Sequence, residues 1–174
     1  MRKRNVIRAQ SVLVAGALAM ALPLSAFAGT SARGMAKDDV QQREANLWEI
    51  DQVEVKFHRA TSTHDLNLMM SLWAPGAVFN IDQQTLTGKA QIRHWFATEN
   101  KAFMPGHHWE SDTPSYKIRV SLHGNKATLY FECHYIDTKT SMVVAVAGVD
   151  HTLQKINGTW LIVDSAGAPA TLSP

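Results

Sequence analysis

Near His108 the spacing of apolar residues changes from a period of about 3.6 to a period of about 2, and this switch limits the possible folds more than any other feature. Upstream, Leu47, Ile50, Val53, Phe57 and Ala60 recur at three- and four-residue steps, which predicts a helix over 43–62. Asp65 is an N-cap for a second helix carrying Leu66, Met69, Met70, Leu72 and Trp73, and Pro75-Gly76 stops it. Ala77 to Ile81 reads as a short strand. Gly88 precedes a third helix with Ile92, Trp95 and Phe96 inward. Downstream lie four β segments, 113–122, 126–136, 142–154 and 159–167. They are punctuated by His123-Gly124-Asn125, Asp137-Thr138-Lys139 and the hairpin pair Asn157-Gly158. Helices followed by three consecutive hairpins give an α+β chain with an antiparallel sheet. Without repeats or linkers, residues 43–168 form one domain, with a tail over 169–174.

The N-terminus has the composition of a secretory signal peptide over 1–28. It carries a basic start, an apolar run from Val12 to Leu24, and Ala26-Phe27-Ala28 at a cleavage site. The run is shorter than the roughly 20 residues that span a bilayer. The expected location is the periplasm or the exterior, with no membrane contact after cleavage, and residues 29–42 are a flexible lead-in. Of the 17 Lys and Arg, four lie within the first eight residues, leaving 13 against 15 Asp and Glu. A net acidic domain is not an electrostatic nucleic-acid binder. One cysteine, Cys133, excludes an internal disulfide and a cysteine-rich zinc module.

Strand alternation assigns faces. A two-residue turn at Asn157-Gly158 sets Leu153 opposite Ile162 and His151 opposite Asp164. The face to be covered by helices carries Val149, His151 and Leu153 beside Trp160, Ile162 and Asp164. It also carries Tyr116, Ile118 and Val120 beside Ala127, Leu129, Phe131, Cys133 and Tyr135. The other face carries Lys117, Arg119, Tyr130, Glu132, His134, Val144, Val146, Leu161 and Val163, a mixture that fits a homodimer surface.

These features resemble the nuclear transport factor 2-like superfamily and, within it, the SnoaL-like group. The resemblance rests on Ile50, Val53, Phe57 and Ala60, on Asp65-Leu66, on Leu72-Trp73-Ala74-Pro75 and on Ala77-Val78-Phe79. It continues through Gly88 to Arg93 and ends at Asn157 to Ile162. It implies a cone-shaped curved antiparallel sheet, four long strands plus a short one, packed against three N-terminal helices around a cavity. Members include isomerases, dehydratases, cyclases, lyases and binding modules, so fold does not fix function. The isomerase branch works with a Tyr on the first helix and an Asp on the first strand. Those positions are Phe57 and Ile81 here, with Asp82 adjacent but expected on the other side of the strand. Steroid-type enolisation is disfavoured accordingly.

Candidate chemistry centres on His151 with Asp164, since a carboxylate opposite an imidazole fixes its tautomer for acid–base work. Tyr116 and Tyr135 are candidate hydrogen-bond donors to a substrate oxygen. Phe57, Trp73, Phe79, Phe96, Phe131 and Trp160 are candidate pocket walls, with His108 and Trp109 at the mouth. Each aromatic is equally ordinary core, and Cys133 reads as a small buried residue. His107-His108-Trp109-Glu110 offers at most two ligands on one side of an extended segment, so no metal site is assigned and no cofactor is expected. The expectation is an exported domain binding a small apolar or aromatic molecule in its cone, as a cofactor-free isomerase, dehydratase or lyase. The alternative is a non-catalytic ligand-binding or dimeric interaction module.

Overall fold

A computed structural model describes residues 37–103, 108–112 and 118–171. The expected signal peptide, Tyr116, Lys117 and His107 lie outside these residues. Helix α1 spans Lys37–Ser62, beginning earlier than the apolar stripe, within the expected lead-in. Helix α2 spans Leu66–Ser71; Asp65 caps it by accepting from the Asn67 and Leu68 amides at 3.0 and 2.9 Å. Strands β1 (Trp73–Ile81) and β2 (Gln84–Thr87) precede α3 (Lys89–Thr98) and a short 3-10 turn, Lys101–Phe103. The remaining strands are β3 (Trp109–Asp112), β4 (Arg119–His123), β5 (Lys126–Asp137), β6 (Met142–Ile156) and β7 (Thr159–Ala168).

The seven strands form one sheet in the order β2-β1-β7-β6-β5-β3, with β4 also on β5. Two expectations are corrected here. The sheet is mixed, because β1 runs parallel to β7. It is also open: no pairing joins β2 at one edge to β3 or β4 at the other, and the sheet does not curl into a cone. The expected cone cavity, and a ligand held within it, are therefore absent from this fold. Pro75-Gly76, expected to stop a helix, instead lies inside β1. It accompanies a shift of register against β7 between Trp73 and Val78, consistent with the missing proline N–H.

The core lies between the helices and one sheet face. Ile50, Val53 and Phe57 of α1 and Ile92 and Phe96 of α3 meet Leu129, Phe131, Leu153 and Ile162. Phe57 packs edge-on to Phe96 and Phe131, with centroids 6.2 and 5.3 Å apart.

The other face is partly covered by the chain's own end. Glu132 is wholly buried and accepts from the Tyr130 hydroxyl (2.6 Å), the Thr171 amide (2.7 Å) and the Thr171 hydroxyl (2.6 Å). His134 Nε2 lies 3.1 Å from its other oxygen. Burial raises the Glu132 carboxyl, but these hydrogen bonds outweigh it and hold the group below the usual carboxylate range. Burial and the Glu132 contact push the Tyr130 phenol up to about 12. A Cβ on Gly148 would come within 3.0 Å of the Pro169 carbonyl, so the chain's end lies directly on β6. Tyr130, Glu132 and His134 are thus buried within one protomer.

Phe57→Asp or Trp160→Asp should abolish cooperative thermal unfolding measured by circular dichroism. Loss of a buried ring costs about 3–5 kcal/mol and the unpaired carboxylate adds to it, against a total stability on the order of 5–15 kcal/mol.

Candidate active site

One helical turn separates Glu54 from His58 on α1, so their side chains share a face. Both are about 1% exposed. That face meets β3, where His58 Nδ1 lies 2.6 Å from Ser111 Oγ. His58 Nε2 is 3.0 Å from Glu54 Oε1, but the ring N–H points off that line, leaving Glu54 without an aligned donor. A turn further on, Ser62 Oγ accepts from the Ser111 amide at 2.9 Å and donates to its carbonyl at 3.3 Å. These two bonds pin β3 to the helix and fix Ser111 opposite His58.

The line continues across the sheet. Ser111 pairs with Tyr135 in the β3–β5 ladder, and Cys133 lies two residues along β5 on the same face. The Ser111 hydroxyl and the Tyr135 phenol both lie close enough to the Cys133 thiol to act on its ionisation, each favouring the thiolate. Burial pushes the Cys133 thiol up to about 12, with the nearby Glu54 charge adding to the rise. Burial also holds the Tyr135 phenol well above its ordinary value, helped by Cys133. Both groups are neutral at physiological pH.

Tyr135 and Cys133 open onto a cleft of about 280 Å³ between α3 and the sheet. Phe57, Phe79, Phe96 and Trp109 also line it. Asp82, expected on the far side of its strand, lines it too. The cause is the β1–β2 turn, where Asp82 and Gln83 take φ of 49° and 63° and swing the chain round.

The expected pairing of His151 with Asp164 does not form. A bulge places Val163 between Ile162 and Asp164, so Leu153 still pairs with Ile162 but Thr152 pairs with Asp164. Asp164 is thereby exposed on the outer face, and His151 faces Ser165. His151 is 2% exposed, and neither ring nitrogen has a hydrogen-bond partner among the described residues. Its ring lies 5.2, 5.6 and 6.0 Å from those of Phe131, Phe57 and Trp73. Burial lowers its pKa to about 3, so the imidazole is neutral. Trp73 and Phe131 are fully buried core, Trp160 lines a different groove, and His108 is exposed with its carbonyl accepting from the Thr138 amide. Among the described residues, no three His, Cys, Asp or Glu side chains converge as metal ligands.

Sequence reasoning missed Glu54, His58 and Ser111. A signal existed for the first two, which follow Val53 and Phe57 and so sit at the border of the apolar stripe. Nothing local marks Ser111, whose role depends on long-range pairing.

A family model described as a SnoaL-like domain matches residues 42–165. No curated protein matches significantly. Among solved structures, the chain is similar to a nuclear transport factor 2-like protein with a cystatin-like fold from Novosphingobium aromaticivorans. The TM-score is 0.62 at 16% identity, covering 80% of this chain and 94% of that one. A protein of unknown function with a cystatin-like fold from Nostoc punctiforme gives 0.58 at 17%, covering 78% and 95%. A candidate dehydratase of the same superfamily from Streptomyces avermitilis gives 0.56 at 12%, covering 75% and 99%.

The state of His151 has a measurable consequence. In the unfolded chain it binds a proton near pH 6.5, whereas the folded chain refuses it until about pH 3. Its contribution to stability is therefore complete above pH 6.5 and is lost as pH falls toward 3, at about 1.4 kcal/mol per pH unit. Urea unfolding between pH 5 and 7.5 should show a shallower acid decline for His151→Leu than for the wild type.

Proposed function

Because the chain belongs to the SnoaL-like domain family, we propose that the cleft beside α3 is an acid–base site served by the buried line Tyr135–Cys133–Ser111–His58–Glu54. The observation that carries this reading is the buried Ser111 hydroxyl 2.6 Å from His58 Nδ1, set between the Tyr135 and Cys133 side chains of the cleft wall and the buried Glu54 carboxylate. Tyr135 is the group that touches the bound molecule. It takes a proton from an acidic O–H, or from a C–H beside a carbonyl, while passing its own inward. Cys133 and Ser111 each shift one proton, His58 Nδ1 receives the last, and Glu54 beside Nε2 offsets the charge that results. Reversal of the path returns the proton at another atom, which is isomerisation, or supplies it to a departing hydroxyl, which is dehydration.

The spacing of Ser111, His58 and Glu54 also resembles a hydrolase triad. Ser111 is only 7% exposed and does not line the cleft, so attack by its hydroxyl on a bound carbonyl is not favoured. The aromatic cleft walls favour a compact apolar body carrying one oxygen. Similarity to a candidate dehydratase and a candidate ketosteroid isomerase is compatible with this class of reaction. The basic start, the apolar run and Ala26-Phe27-Ala28 support export of the domain.

The test is exchange of α-protons of 2-tetralone in D2O, followed by proton NMR. The wild type should accelerate exchange over buffer. Tyr135→Phe, His58→Gln and Ser111→Ala should each reduce the acceleration by about a hundredfold with the fold intact. Undiminished exchange in Ser111→Ala, which does not line the cleft, would remove the relay.

A further inference from the structure

A second concave site lies away from the acid–base line. It is a groove of about 460 Å³ between α1 and the β6–β7 hairpin. Val53, Leu72 and Trp160 contribute apolar floor, and Trp48, Gln52 and Lys56 contribute one wall from successive turns of α1. Trp48 is 65% exposed, a large apolar surface held in water beside a hollow.

The charges of this groove are unevenly matched. Its one carboxylate, Glu49, is engaged by Lys155 at 2.6 Å, and Lys155 also donates to Asn46 at 2.9 Å. Lys56 has no such partner among the described residues. Trp160 is 3% exposed and its indole N–H is buried without an acceptor among the described residues. Among the described residues, the groups left unengaged at the groove surface are the Lys56 ammonium, a donor, and the Gln52 amide, which can donate through its NH2. Two indoles and an apolar floor fit a flat hydrocarbon body, while donors and a lone cation fit an anionic acceptor. The volume is within the range of small-molecule pockets, on the order of 300–1,000 Å³.

We propose that this groove binds a planar aromatic carboxylate, with its ring against Trp48 and its carboxylate toward the Lys56 ammonium. The site does not depend on the acid–base reading of the cleft, and its ligand need not be a substrate.

The probe is 1-naphthoate, titrated into the 15N-labelled full chain at low ionic strength. Trp48 and Trp160 indole N–H signals are assigned by single Trp→Phe variants. The expected result is saturable movement of both signals, with affinity falling at least about tenfold in Lys56→Gln and in Trp48→Ala. The neutral 1-naphthalenemethanol should bind at least about tenfold more weakly than the carboxylate. Lys56 and Trp48 are exposed, so neither variant threatens the fold. No saturable shift at millimolar probe overturns the proposal. Equal binding of the alcohol, or an unaltered affinity in Lys56→Gln, also overturns it. Movement confined to the Trp95 and Trp109 signals would place the probe in the cleft and overturns it as well.

Discussion

The pairing of β5 with β6 governs everything built on this sheet. It runs from Lys126 opposite Gln154 to Asp137 opposite Met142 and slips only between Tyr135 and Ile136. Along it, Leu129, Phe131 and Cys133 turn toward the helices together with Val149, His151 and Leu153. A slip of one residue would send this apolar set to the opposite face and bring Glu132 and Asp150 into the core. The short strand β3 then takes its position from β5, and Ser111 from β3. The same ladder therefore sets both the hydrophobic contacts and the buried polar line.

Helix α1 reads that ladder through two kinds of contact. Its apolar stripe packs through Phe57 onto Phe131, which is strong but tolerant of small rotations. The Ser62 hydroxyl and Ser111 backbone bonds are weaker and directional, so they fix the rotation. A polar group at each end of a packed interface specifies one arrangement among several of similar burial.

Helices α2 and α3, the long strands β5 to β7 and the inward faces were legible because each depends on local periodicity, capping or turn chemistry. Asp65 and Gly88 mark helix starts through interactions within a few residues. The short strands β2 and β3 were not legible, since four residues carry too little pattern and their pairing partners lie far away in sequence. The opposition of His151 and Asp164 failed for a different reason. Counting from a hairpin assumes an unbroken ladder, and one extra residue at Val163 sends Asp164 to the other face. Tyr135 was recognisable as a candidate because alternation alone turned it inward. The groups behind it depend on a helix, an edge strand and a central strand meeting, which no local window contains.

The openness of the sheet has a consequence for solubility. A closed barrel has no unpaired margin, whereas an open sheet offers backbone donors and acceptors at both ends to any strand that can align with them. Here β2 and β3 are only four residues each. Their side chains include Gln84, Thr85 and Thr87 at one margin and Glu110 at the other, where the five-residue β4 also lies. Short, polar margins give an incoming strand little length to zip along. The chain thus limits edge-to-edge aggregation by keeping its outermost strands brief rather than by eliminating them.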